Sequence, residues 1–210
     1  MRKISRLAIA GICTILLTGC AAQHSPIVDP LPHWNVEDTP YDAPEVREPL
    51  RYSQDDPLWA VLPYGTVTIS EAGCGLCVAA STFAYLTESP ITPKSLEAAV
   101  EGTCLVDNDM NDMILFAQFG AENYGLSHTE KLFEWDDVIA EVNSGHYVWL
   151  GVSGEVGDRE YESHVICVWR TGLADYWAIY DPKQPQLEFI DATVFGYRIV
   201  MIYAVSVWKE

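Results

Sequence analysis

Cys74 lies between Gly73 and Gly75 and opens a segment, CGLCVAASTFAYLT, whose apolar residues recur at helical spacing. A cysteine at the start of a helix faces free backbone N–H groups and the positive end of the helix dipole. Both favour thiolate over thiol, and thiolate is the nucleophile. The flanking glycines let other backbone approach the sulfur closely. A cysteine is also a common buried small hydrophobe, so this placement alone does not assign chemistry. A nucleophilic cysteine needs a base, and the base an orienting group. Of the five histidines, His24 and His33 fall in a proline-rich stretch and His128 in the polar loop GLSHTE. His146 and His164 remain, each at the start of a strand-like run. Asp181 ends another such run just before Pro182, where the chain must leave regular structure. His164 and Asp181 are expected on neighbouring strands joined by a turn around Thr171–Ala174. There the carboxylate can hold one imidazole nitrogen and leave the other for Cys74. His146 reads instead as a strand-end histidine with a structural hydrogen bond.

Other groupings read more plainly. Cys74 and Cys77 form a C-x-x-C, but no βαβ unit precedes them to support thioredoxin-like redox chemistry. Cys77 with Cys104 is the expected disulfide if one forms outside the cytosol. The acidic run 107–112 lacks the glycine and glutamate of a calcium loop at its sixth and twelfth positions, where Asp112 and Gln118 stand, so it reads as helix capping. No metal site and no cofactor are expected. Trp149, Trp169, Trp177 and Tyr180 alternate at strand spacing and read as core and sheet-face packing, with one or two of them open to lining a substrate cleft.

The elements that would position these residues follow from periodicity. Helices are expected over 74–87, over about 92–101 with Thr92 as cap and Pro93 at the first position, after Asn108 or Asp109 as cap with Met113, Ile114, Ala117 and Phe119 buried, and over about 136–143. After Gly145 the segments HYVWLGV, SHVICVWR, YWAIYD, QLEFI and YRIVMIYAVSVW read as strands. Helices first and strands second predict an α+β domain, a helical lobe packed on an antiparallel sheet.

The first fifty residues are of another kind. Arg2, Lys3 and Arg6 precede an apolar run from Leu7 to Leu17, too short to span a bilayer comfortably and suited to a signal h-region. The run ends in Leu17-Thr18-Gly19-Cys20, which resembles the lipobox of bacterial lipoproteins. That resemblance implies cleavage before Cys20, lipidation of Cys20 and a cell-membrane anchor on the extracytoplasmic face, at the outer membrane if the cell has two. Residues 21–50 hold six of the twelve prolines and read as a semi-rigid tether, or as an irregular layer docked through Trp34 and Tyr41. Residues 51–210 are then one domain. Loss of residues 1–20 removes three basic residues and leaves nine against thirty acidic ones, a net charge of −21. Such a charge argues against nucleic acid as a partner.

The segment from Ser53 to Pro93 resembles the start of the peptidase-C-thirty-nine-like domains, relatives of the bacteriocin-leader peptidases in the papain superfamily. The matching residues are Gln54, Asp56, Pro57 and Trp59; Tyr64 and Gly65; Thr68 and Ile69; Gly73 to Gly75; and Ile91 to Pro93. Later the family's Gly-His and Asp-Pro signatures become Ser163-His164 and Asp181-Pro182. Leu76-Cys77 and Ser163 depart from the family pattern. The resemblance spans roughly residues 50–205 and implies a papain-like fold. It also implies a thiol protease triad of Cys74, His164 and Asp181 hydrolysing a peptide or amide bond, with a peptide or protein as substrate. The oxyanion hole would take the Cys74 backbone N–H and a side-chain donor, with Gln54 or Thr68 as candidates. Two rival readings stay open: a silent papain-like domain that binds peptide or protein at the cell surface, and a structural domain whose Cys74 and Cys77 enter disulfides.

Overall fold

Runs such as VWLGV and HVICVW are almost continuously apolar, the pattern of strands buried on both faces. In the computed structural model, which describes residues 48–107, 109–173 and 175–210, that is what they become. The described residues lie in a unit spanning Val46–Glu210. A hairpin of β1 (Pro63–Tyr64) and β2 (Val67–Thr68) leads into α1 (Ile69–Ala72), α2 (Cys74–Thr87) and α3 (Pro93–Val100). A second hairpin, β3 (Leu105–Val106) and β4 (Met110–Asn111), precedes α4 (Met113–Tyr124), β5 (Ser127–His128) and α5 (Trp135–Asn143). The remainder is β6 (Tyr147–Val156), β7 (Arg159–Arg170), β8 (Tyr176–Tyr180), β9 (Phe189–Asp191), α6 (Ala192–Arg198) and β10 (Ile199–Trp208).

Six strands form one antiparallel sheet in the order β5-β10-β6-β7-β8-β9. The fold is therefore α+β, as expected. One face of the sheet, carrying Trp149, Cys167, Trp169, Tyr180 and Val205, packs with Leu76, Val78, Phe83 and Phe116 of α2 and α4. The opposite face, carrying Val148, Leu150, Ile166, Val168 and Ile179, packs with Val138 and Val142 of α5 and Phe195 of α6. The helical lobe thus covers one face, and two further helices cover the other. Trp149, buried as expected, stitches sheet to lobe by donating its Nε1–H to Thr82 Oγ1 at 2.9 Å.

Several local expectations are altered. Thr92 caps α3 and Pro93 stands at its first position, as expected. The cap of α4 is Asp112, which accepts from the Ile114 N–H, whereas Asp109 accepts from Thr66 and Asn108 is outside the described residues. QLEFI contributes only Phe189 and Ile190 to a strand that ends at Asp191. Tyr197 and Arg198 close α6 instead of opening the last strand, because Asp191 caps that turn and Phe195 buries against Trp135. Cys77 and Cys104 are not bridged: both are free buried thiols occupying apolar space as small hydrophobes. Of the residues read as tether, Pro49 is buried and the Leu50 carbonyl accepts from Ser81 Oγ at 2.5 Å. Cys20, the signal segment, Trp34 and Tyr41 lie outside the described residues. Among the described residues no helix is long and apolar enough to cross a membrane.

Candidate active site

Two helices meet head to tail at Gly73, which closes α1 and opens α2. A Cβ at Gly73 would stand 2.6 Å from the Ile69 carbonyl oxygen, so only glycine permits this junction. Cys74 is thereby the first residue of a 14-residue helix, half-buried at its positive end. Gly75 admits the β4 chain on the other side, since a Cβ there would meet Asn111 Cβ at 2.6 Å. Asn111 accordingly reaches the nucleophile. Its Nδ2 donates to the Ala72 carbonyl at 2.7 Å and approaches Cys74 Sγ at 3.6 Å, while its Oδ1 accepts from Tyr64 Oη at 2.6 Å.

The sheet supplies the partner groups. His164 is the first buried residue of β7 after an exposed stretch, and Asp181 directly follows β8. The register pairs Cys167 with Tyr180, so Asp181 falls opposite Ile166, and His164 stands two residues further along the same strand. Diagonal neighbours of that kind are within side-chain reach. His164 Nε2–H donates to Asp181 Oδ1 at 2.7 Å, with the two side chains 5% and 0% exposed. With Nε2 so used, Nδ1 is the ring nitrogen left for Cys74, which lies near enough for each group to shift the other.

Every oxygen of Asp181 is served. Oδ1 also accepts from the Lys183 N–H at 2.8 Å, and Oδ2 accepts from Tyr161 Oη and from Gln184 Nε2, both at 2.9 Å. Burial would raise this carboxyl, but the His164 bond, its charge and the Lys183 and Tyr161 donors hold it below the usual 3.8. Burial likewise opposes the imidazolium of His164. The bonds to Asp181 and Cys74 overcome it and lift the pKa to about 9. For Cys74, burial disfavours the thiolate, yet the hydrogen bond and charge of His164 and the backbone N–H groups of Val165 and Gly75 lower the thiol pKa. The opposite shifts on the two partners are in the direction that favours a thiolate facing an imidazolium, with the carboxylate behind it.

The other sequence candidates fall elsewhere. Gln54 is 2% exposed; its N–H donates to the Pro182 carbonyl and its Nε2 to the Ser70 carbonyl, each at 2.9 Å, while its Oε1 is buried without a partner among the described residues. It is thus held between the loop that carries Asp181 and the helix that precedes Cys74. Thr68 is spent on α1 as its cap, with N–H and Oγ1 both donating to Glu71 Oε2 at 2.9 and 2.8 Å. His146 pairs with Glu141 Oε2 at 2.7 Å, and His128 Nδ1 lies 2.8 Å from the Thr129 carbonyl; both are structural contacts away from Cys74. Asn111, Tyr161 and Gln184 were not singled out from sequence. Among the described residues no cluster suited to a metal ion is present. The chain matches no known family model and no curated protein.

Proposed function

We propose that this chain is a cysteine peptidase or amidase of papain-like fold, attached to the extracytoplasmic face of a membrane through lipid on Cys20. The observation that carries the reading is the Cys74–His164–Asp181 arrangement: a cysteine at a helix N-terminus, beside a buried imidazole whose far nitrogen is fixed by a buried carboxylate. The α+β layers, with the nucleophile on a helix and the base on an adjoining sheet, support the fold assignment. The acidic surface, the proline-rich segment and the lipobox-like tetrapeptide support the setting.

The chemistry follows from these groups. The Cys74 thiolate attacks the carbonyl carbon of a peptide or amide bond, forming a C–S bond as the carbonyl π pair moves onto oxygen. The Cys74 backbone N–H at the start of α2 and, once released from the Ser70 carbonyl, the Gln54 amide are the donors assigned to that oxyanion. The His164 imidazolium gives its Nδ1 proton to the departing amine as the C–N bond breaks. Water, deprotonated by the now neutral imidazole, cleaves the thioester and restores the resting pair. Asp181 holds the ring in the one orientation that serves each step.

The test is iodoacetamide labelling of Cys74 against pH, together with hydrolysis of a peptide library. Expected are labelling that stays fast at pH 6, its loss in His164→Ala, and peptide cleavage abolished by Cys74→Ala. Gln54→Ala should leave labelling intact and lower kcat by about a hundredfold. Labelling that rises only near the ordinary thiol pKa of about 8.5 in both chains would refute the reading. Fast labelling without cleavage would favour the second reading, a domain that binds peptide without cutting it. The commitment of the Gln54 amide to the Ser70 carbonyl is the observation on that side.

A further inference from the structure

In a regular strand, residues three apart point to opposite faces. Tyr161 and His164 do not: their rings stack at 4.0 Å between centroids, with an interplanar angle of 11°. The reason lies in the register. Val152 of β6 pairs with His164 and Gly154 pairs with Tyr161, so one residue of β6 faces two, Glu162 and Ser163, on β7. This bulge shifts the alternation by one and brings Tyr161 onto the side of its strand that His164 occupies. From there the Tyr161 hydroxyl donates at 2.9 Å to Asp181 Oδ2, the oxygen that His164 does not use. Gln184 closes the arrangement from behind. Its Nε2 contacts Val156 O at 2.8 Å, Asp181 Oδ2 at 2.9 Å and Tyr161 Oη at 3.3 Å, and its Oε1 accepts from the Asp158 N–H at 3.2 Å. Gln184 is 2% exposed, so these contacts account for a buried amide that packing alone does not require.

We propose that Tyr161 is a positioning residue of this site: its ring, turned onto the imidazole by the bulge in β7, and Gln184 behind it fix the His164–Asp181 pair for proton transfer at Cys74. The inference rests on the reading of Cys74 as a nucleophile. The ring covers one face of His164, so the imidazole cannot tilt away from Asp181 without losing the stack. It also keeps water from the 2.7 Å bond that orients the base. The groups that face His164 are Cys74 from α2, Asp181 from the end of β8 and Tyr161 from its own strand. Of these, only Tyr161 acts through orientation rather than charge. It touches no reacting atom, and its effect must pass through His164.

The experiment uses the whole chain in detergent, with histidine labelled by nitrogen-15. It reads the His164 pKa by NMR, and the rate of Cys74 alkylation by iodoacetamide at pH 6 at the Cys74 peptide by mass spectrometry. Tyr161→Leu removes ring and hydroxyl, whereas Tyr161→Phe keeps the ring. The Leu variant is expected to bring His164 down from about 9 toward its ordinary 6.5. It should also slow Cys74 by about tenfold, the scale of losing a residue that orients a working side chain. The Phe variant should stay within about threefold of the parent, since the ring remains on His164 and Asp181 Oδ2 keeps its Gln184 donor. A folded Leu variant with the parent's pKa and rate overturns the proposal, and so does a Phe variant as slow as His164→Ala. The second outcome decides the matter even if the Leu variant fails to fold. A parent chain whose Cys74 reacts as a free thiol sinks the nucleophile reading and this proposal together. A parent with the ion pair and an unaffected Leu variant sinks the proposal alone.

Discussion

The chain builds the same three-part device twice. At the β7–β8 end, His164 meets Asp181 at 2.7 Å and stacks on Tyr161. At the α5–β6 turn, His146 meets Glu141 at 2.7 Å and stacks on Trp208 at 4.3 Å with an interplanar angle of 7°. Imidazole, carboxylate and aromatic face are common to both. Three things differ. The first pair is 5% and 0% exposed, the second 24% on each side. Asp181 accepts four hydrogen bonds, and Glu141 is joined to its histidine across a single helix end. Only His164 has a thiol at its other nitrogen. A histidine–carboxylate contact is therefore a fastening of ordinary use. Burial, a saturated carboxylate and a nucleophile within reach make it a candidate catalytic pair.

Separating the two regions by mutation gives the largest contrast in reactivity. His164→Ala should cut Cys74 alkylation at pH 6 by at least about a hundredfold, the scale of losing a positioned base. His146→Ala should leave it unchanged, and equal losses in both would erase the distinction. In stability, Asp181→Ala strands the buried imidazole and the Tyr161, Lys183 and Gln184 donors and should cost about 3 kcal/mol. Glu141→Ala removes a partly exposed partner and should cost about 0.5 kcal/mol, both read from denaturant midpoints.

The pH dependence sharpens the comparison further. The raised pKa of His164 contributes stability that is complete below 6.5 and is lost as pH rises through about 9. The lowered pKa of Cys74 works the other way: its contribution is complete above 9.0 and is lost as pH falls. Wherever the folded pair carries its one proton on His164 and the unfolded chain carries it on Cys74, the two contributions offset. Cys74→Ala removes one side of that balance. Its stability should fall by about 1 kcal/mol from pH 6.5 to 9 relative to the parent, and parallel melting profiles would show that no ion pair exists. The smallest effect is expected at Asn111, which has no equivalent beside His146. Asn111→Ala should slow alkylation about threefold by removing one donor to the sulfur.

Much of the scaffold was legible because its signals are local. The helical spacing of 74–87, the Thr92-Pro93 start and the runs HYVWLGV, SHVICVWR and YWAIYD each carry their own physics, and each formed the element expected. Tyr197 and Arg198 misled because a tyrosine at the head of a β-branched apolar run favours a strand. The Asp191 cap and the burial of Phe195 outweighed that preference. The pairing of Cys77 with Cys104 could not be read at all, since disulfide bonding depends on distance and direction in space.

For the site the division is similar. By itself the sequence determined a cysteine at a helix start between two glycines, a histidine entering a buried strand and an aspartate leaving the next, because residue type and neighbours suffice for each. It also separated His164 from His146 by their place in chain order. Only the tertiary structure decided what surrounds them. Asn111 comes to the sulfur through a hairpin packed against Gly75, Gln184 reaches back across a turn to Asp181, and Tyr161 faces His164 because one strand carries an extra residue. A bulge and a hairpin contact are set by pairing between distant segments, and no local pattern in either segment records the partner.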